Sequence, residues 1–505
     1  TALGAAAVVL YILFTVLLGG GNVIGNLAAF LCVVSGIFGL IRPRNAMYYL
    51  AILAAYNDLI KRLMIFDGRF GMIDIMWVRG LCPMTLAGIF VGTLVKSMSN
   101  GNLLVRRNQV LLFMCFSAFA LSGISAARSA GPFSALTQLA DGAAYLFLAA
   151  ITPLIFSKPG DLIKYFKFVL IVFVPVALYG VKQQIFGLSA FEIDYLKSGY
   201  TSLSKHLMDE RPRPFSTLTD SSPFGTSMAV CACLALMIRY HYRKNGKPNW
   251  RLLGIVFFLI YVVGCVVSLT RFATLNWVLP ILAVPLLSSK KATISVYLLM
   301  TAAFLGACYF ATDLKAFTDI ATENARDVLG DSGLGEQIAR FNTLGARLDG
   351  MHDLFRNPRM WTPFGYGTAV ADEMLRAKEV NSHDIISTTL LHIGWVPIIP
   401  ATLVIIWILM KLHSSLLKLV GSPVFGIAVW MTGTIIGLCI HNVFAGNVTA
   451  TFPVNYFFWL LAGSFVTCVN WDEMRLKRSS KNSIKRVQSD HRWTIRNEAL
   501  APLVD

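Results

Sequence analysis

Charge is what this chain has least of. Only 14% of its 505 residues are Asp, Glu, Lys or Arg, against 56% hydrophobic residues. A soluble core cannot hide that much apolar surface, so the scarcity excludes an ordinary soluble domain and points to a membrane protein. Several chemical signatures are missing as well. There is no HExxH, no P-loop and no zinc-type Cys/His spacing, so the common nucleotide-binding and metalloprotease sites have no sequence support. No Asp-x-Asp occurs either; its nearest relative is Glu192-Ile193-Asp194. A disulfide framework is also lacking. The nine cysteines, from Cys32 to Cys468, all fall inside apolar runs and read as small buried hydrophobes.

What is present in quantity is long apolar sequence. Runs of 17 to 25 residues recur along nearly the whole chain. In lipid, only helices or closed barrels satisfy the backbone, and continuous rather than alternating runs favour helices. The fold class is therefore all-α and polytopic, with about 12 to 14 transmembrane helices. The expected organisation is N-terminal helices over 1–181, a first external loop over 182–222 and central helices over 223–311. A large external loop over 312–386, C-terminal helices over 387–470 and a basic, disordered cytoplasmic tail over 471–505 complete it.

The net charge of +17 is placed mainly in short connections and in the tail. That is the positive-inside pattern of a plasma-membrane protein rather than a nucleic-acid footprint. By the same rule Lys61, Arg62 and Arg69, between spans near 46–60 and 72–95, belong inside, which conflicts with the alternation of their neighbours. Spans near 109–123 and 132–156, 163–181, 223–239, 252–269, 272–287 and 293–310 then alternate regularly. The last three lie near 387–410, 423–441 and 452–470. No inverted repeat of the transporter kind is evident.

The large loop holds twelve of the chain's 27 acidic residues. Within it, the stretch 337–355 carries an apolar stripe at helical spacing and is ended by Asn357-Pro358. This helix either lies on the membrane surface or lids a site and turns Arg347 inward. The loop ends in Asn381-Ser382-His383-Asp384. His383 titrates near neutral pH and suits proton transfer to or from a hydroxyl. His392, nine residues on, faces the other way and reads as a packing residue.

Two other places hold cations that need an explanation. Arg211-Pro212-Arg213-Pro214 precedes a span, and its guanidiniums offer the planar donor forks that match phosphate oxygens. The alternative is a pair of loop charges reaching for water. Arg271 interrupts an apolar sequence with no acidic residue within twenty positions. An unpaired Arg at membrane depth costs at least roughly 2.5–3.5 kcal/mol, so an anionic group is expected to offset it.

Taken in order, these segments resemble the O-antigen ligase and polymerase family of bacterial envelope enzymes. Arg213-Pro-Phe-Ser-Thr followed by Pro223-Phe224-Gly225 is similar to that family's R-x-x-G-T…N-P segment, with Ser216 where Gly is common. Ser268-Leu-Thr-Arg271 is similar to its S-x-S-R helix end. Arg347 through Pro363-Phe364-Gly365-Tyr366-Gly367, and Asn381-Ser382-His383-Asp384 through Leu390 to Gly394, complete the set, with Asp384 where Asn is common. The likeness spans about residues 205–410. It implies a C-type membrane glycosyltransferase bundle in the bacterial inner membrane, active at the periplasmic face without metal or other cofactor. The donor would be an oligosaccharide on undecaprenyl diphosphate and the acceptor a glycan hydroxyl, with other polysaccharide-assembly membrane proteins as possible partners. His383, Arg271 and Arg213 would be catalytic, while Arg211, Arg347 and Asp384 would bind diphosphate or glycan. Polymerisation of repeat units is the expected reaction, transfer to a lipid core or protein acceptor the alternative. A lipid-linked oligosaccharide flippase is the reading from another class, and it predicts charges along a transbilayer path. A non-catalytic envelope scaffold would leave Arg271 unexplained.

Overall fold

The computed structural model describes residues 23–67, 71–99, 108–198, 207–208, 211–244, 248–287, 357–367, 390–445 and 451–498, with positions 370, 371, 374 and 448. Helices dominate: α1 (Val23–Ile41), α2 (Pro43–Asp67), α3 (Met72–Ser99), α4 (Gln109–Asp141), α5 (Phe147–Ile155), α6 (Pro159–Phe186) and α7 (Ala190–Lys197). After them come α8 (Ser221–Lys244), α9 (Pro248–Val267), α10 (Arg271–Leu287), α11 (Trp395–Leu416), α12 (Phe425–Ala445) and α13 (Val454–Glu498). The described strands are a two-residue antiparallel pair, Leu207–Met208 with Arg211–Pro212. Seven of the described helices carry a stretch long and apolar enough to cross a membrane, and three more carry shorter apolar stretches. The chain is an all-helical membrane protein.

Small residues set how closely the helices approach. Along the seam of α1 and α3, a Cβ built on Gly88 would lie 2.0 Å from Gly36 O, and one on Gly92 would lie 2.2 Å from Leu40 O. The Gly88-x-x-x-Gly92 spacing thus puts backbone against backbone, the contact that helices use in lipid where apolar burial gives no drive. At the α8–α9 seam Gly254 makes room for the Arg239 Cβ and the Ala235 carbonyl, and Gly225, at the start of α8, for the Ser268 side chain just past the end of α9. One continuous core then joins α2, α5, α6, α8, α12 and α13 through side chains such as Phe166, Phe173, Tyr261 and Phe457, all fully buried.

Several boundaries depart from the pattern of apolar runs. The spans expected near 109–123 and 132–156 do divide, at the kink of α4 at Gly131 (φ 82, ψ 166), but the first runs on past 123 and the second is broken after Asp141 and followed by a 3-10 turn and the short α5. The interval 182–222 is not a plain loop, since α6 runs on to Phe186 and α7 occupies Ala190–Lys197. Ser189 and Glu192 form a reciprocal capping box that starts α7. α11 begins at Trp395 rather than near 387, after a break at Gly394. The tail from 471, expected to be disordered, continues α13 as helix to Glu498. The spans expected over 2–18 and 293–310 lie outside the described residues.

Side-chain contacts fix which helix ends lie together. Arg44, at the start of α2, pairs with Asp161 at the start of α6 (2.9 Å). Lys167 lies over the rings of Tyr242 and Trp250, joining α6 to the turn between α8 and α9. The opposite end of the bundle collects the ends of α2, α6 and α9 and the starts of α8 and α10.

Candidate functional site

That second end is organised by a buried ion pair the sequence gave no reason to expect. Arg62, in the last turns of α2, is 1% exposed and Glu192, in the first turn of α7, is 0% exposed. Their Nη1 and Oε1 atoms are 3.5 Å apart. Burying two charges is tolerable only when most of the remaining donors and acceptors are filled, and here all but Arg62 Nη1, which has only the ion pair, make hydrogen bonds. Arg62 Nη2 donates to Ser216 O (2.7 Å), Nε donates to Asp58 O (3.3 Å), and the guanidinium lies 4.7 Å over the Phe215 ring. Glu192 accepts from the Ser189 backbone N–H (2.8 Å), from Tyr179 OH (3.1 Å) and from the Gln183 amide.

The network exists to hold one loop. Gln183 Oε1 accepts from the backbone N–H groups of Phe215 (3.0 Å) and Ser216 (2.6 Å). Thr217 donates to Ala55 O (2.6 Å), and Thr219 donates to Asp58, which also pairs with Lys61 at 2.6 Å. Residues 215–219 are thereby pinned to α2 and α6. Ser216 sits at φ 55, a left-handed conformation that costs a residue with a Cβ roughly 1–2 kcal/mol.

Lys61 and Arg62 lie at the end of α2 opposite Arg42 and Arg44, and both are paired with carboxylates, Asp58 and Glu192. Arg69 lies outside the described residues. The Glu192-Ile193-Asp194 acids do not form a pair: Glu192 is buried among its four partners, while Asp194 is exposed two positions along the helix. Positions two apart on a helix do not face each other. Among the described residues, no group of three or more His, Cys, Asp or Glu is placed to hold a metal ion.

The pinned loop delivers Arg213. Its Nη2 lies 3.4 Å from Leu269 O and 3.3 Å from Thr270 Oγ1. Thr270 Oγ1 in turn donates to Ser221 O at the start of α8 (3.1 Å). Arg271 follows directly as the first residue of α10; its side chain lies outside the described residues. Arg213 is thus held beside the start of a helix 58 positions further on, whose first residue is Arg271, and a helix N-terminus favours an anion. Arg211 is placed by its backbone pairing with Met208, and its side chain also lies outside the described residues.

The remaining two family-like segments are joined to each other. Thr362 O and Pro363 O accept from the first two backbone N–H groups of α11, Trp395 (3.2 Å) and Val396 (3.0 Å), and Tyr366 N donates to Leu391 O (2.9 Å). Ser125 Oγ bridges the carbonyls of Phe364 (2.9 Å) and Ile393 (2.8 Å), and Arg128 lies over the Phe364 ring. Gly365 (φ 65) and Gly394 (φ 78) face each other so closely that a Cβ on either would lie 2.4 Å from a backbone atom of the other segment. His392 is half-buried at this junction. His383, Asp384 and Arg347, together with the amphipathic stretch 337–355, lie outside the described residues.

A second polar pair was missed. Asn276 Nδ2 donates to His441 Nδ1 (2.5 Å), two turns into α10 and near the end of α12, and Phe272 stacks on the imidazole at 5.5 Å. His441 is 2% exposed. It sits within the otherwise apolar run that ends α12, beside Asn442, and was passed over with that run. Compared with known protein families and curated proteins, the chain matches no family model and no curated sequence.

Proposed function

We propose that this protein is a membrane glycosyltransferase that polymerises oligosaccharide repeat units carried on undecaprenyl diphosphate. The observation that carries the reading is the meeting of Arg213 with the start of α10 at Arg271. A loop would not be pinned by a buried ion pair merely to present a stray surface charge. A guanidinium held beside a helix N-terminus suits a diphosphate, whose charge grows as the glycosidic bond breaks. The left-handed Ser216 adds support, because the resembled family commonly carries glycine there, the residue that adopts such a φ without strain.

In this mechanism Arg213 and Arg271 hold the diphosphate and stabilise the leaving group. An acceptor hydroxyl attacks the anomeric carbon with inversion, and His383 takes or orients its proton. Arg211, Arg347 and Asp384 contact the glycan or diphosphate. Arg42, Arg44, Lys158, Arg243 and Arg251 cluster at the opposite end of the bundle, which the positive-inside rule assigns to the cytoplasm. The Arg213 end then faces the periplasm, where lipid-linked repeat units are displayed.

The test uses the purified full chain with a lipid-diphosphate-linked repeat unit, with and without a chelator. A ladder of glycan lengths, unaffected by chelation, is the expected result. A single transfer to a separate acceptor identifies a ligase instead. Full activity in both His383→Ala and Arg271→Ala would sink the mechanism.

A further inference from the structure

At the end of the bundle opposite Arg213, a cavity of about 330 Å³ opens where three apolar helices finish. Its apolar wall includes Ile41 and Ile155, the last residues of α1 and α5. Its polar rim includes Arg42, Arg44 and Lys96. Among the described residues, only Arg44 of these three has an ion-pair partner, Asp161. The cavity thus concentrates positive charge at the depth where hydrocarbon gives way to head groups.

Two further features mark it as built for an anion. α2 starts here, at Pro43, with no acidic residue in its first turn. Its first intrahelical bond comes from Ala46 N to Arg42 O (3.0 Å), so the N–H groups of Arg44 and Asn45 are unsatisfied helix-end donors. Arginines beside a helix N-terminus oppose the macrodipole, an arrangement that an anion between them reverses. The second feature is Thr93, which lines the cavity and is 3% exposed. Its Oγ1 is fully buried and has no hydrogen-bond partner among the described residues, although a buried hydroxyl ordinarily has one.

We infer that this cavity binds the phosphodiester head group of an anionic phospholipid. Arg42 and Lys96 neutralise the charge, the Thr93 hydroxyl and the first N–H groups of α2 donate to the phosphate oxygens, and Ile41 and Ile155 lie against the glycerol and the upper acyl chain. A lipid suits the place better than a soluble phosphate, because the cavity's apolar wall is formed by helix ends continuous with the membrane-facing surface. The inference is independent of the glycosyltransferase reading, since it concerns the opposite end of the bundle.

The experiment is native mass spectrometry of the intact chain, titrated with phosphatidylglycerol, cardiolipin or phosphatidylcholine, with inorganic phosphate as a competitor. Wild-type protein should retain one tightly held anionic lipid, and phosphatidylcholine should not replace it. The exposed pair Arg42→Ala/Lys96→Ala should weaken retention about 25-fold, roughly fivefold for each basic residue near an anionic surface. Thr93→Val, which keeps the shape and removes the hydroxyl, should weaken it severalfold, and Thr93→Ser should restore it. Arg243→Ala/Arg251→Ala, at the same end but away from the cavity, should leave it unchanged. Equal retention by wild type and Arg42→Ala/Lys96→Ala overturns the site. Displacement by millimolar phosphate overturns the lipid as its ligand.

Discussion

Removing one member of the Arg62–Glu192 pair should loosen the loop that carries Arg213, and removing both should loosen it much less than the sum. Arg62→Met strips the charge that balances Glu192 and deletes the 2.7 Å bond to Ser216 O. Glu192→Gln keeps the shape but leaves the guanidinium without its carboxylate, and gives the neighbouring donors another donor to face. Both groups are at least 99% buried, so water does not relieve either loss. Breaking such a pair from one side costs about 3–5 kcal/mol. The loss reaches the loop through Gln183, which is bound to Glu192 and also holds the Phe215 and Ser216 amides. Hydrogen exchange of those two amides is therefore the assay. At about 1.4 kcal/mol per tenfold, the low end of that range corresponds to roughly 150-fold faster exchange in each single variant. Arg62→Met/Glu192→Gln buries no unpaired charge from this pair, so its exchange should rise no more than about tenfold, a coupling of about 4–5 kcal/mol. Single variants that exchange like wild type, or a double variant whose effect is the product of the two, would show that the pair does not hold the loop.

Gly365→Ala and Gly394→Ala should each destabilise the protein by about 2–4 kcal/mol, because φ is positive at both and the new methyl meets backbone at 2.4 Å; a thermal melt of the detergent-purified protein reads the loss. Ser216→Gly should change stability by less than about 1 kcal/mol, since relief of the left-handed strain offsets the lost hydroxyl bond to Val176 O. Ser216→Val, β-branched and without that hydroxyl, should give no stable protein by the same melt. Arg213→Lys should lower transferase turnover about tenfold and Arg213→Ala about a hundredfold, because a point charge replaces part of what a bidentate fork supplies. Equal losses in the two would argue for a purely structural role.

Apolar runs made most of the membrane helices legible, because lipid demands long uninterrupted segments. They failed where a break occurs inside apolar sequence. The kink at Gly131 lies where the expected spans divide, but nothing in the hydropathy of residues 132–156 distinguishes Gly142, where the second break lies. Charge alone did not show the partner of Arg62, since a composition rule sees the cation and not the Glu192 carboxylate that folding brings from 130 positions away. The Ser189…Glu192 capping box was readable, but treating 182–222 as one loop passed over it. The arginine at 213 and the one at 271 stood out because each is costly where it sits. Their meeting was not readable, because it depends on Gln183, Arg62 and Glu192, three residues with no motif in common. The glycines at 365 and 394 were visible as motif positions, but the reason for them is a mutual backbone contact between segments 29 residues apart.

The glycine seam of α1 and α3 bears on where the side of the bundle can open to lipid. Where Gly88 meets Gly36 and Gly92 meets Leu40, the backbones of α1 and α3 touch with no side chains between them. A side chain can swing aside to admit a hydrocarbon tail, but a backbone contact parts only if a whole helix moves. The α1–α3 wall is therefore welded shut along this seam, and any sideways opening of the bundle to lipid lies elsewhere on its circumference.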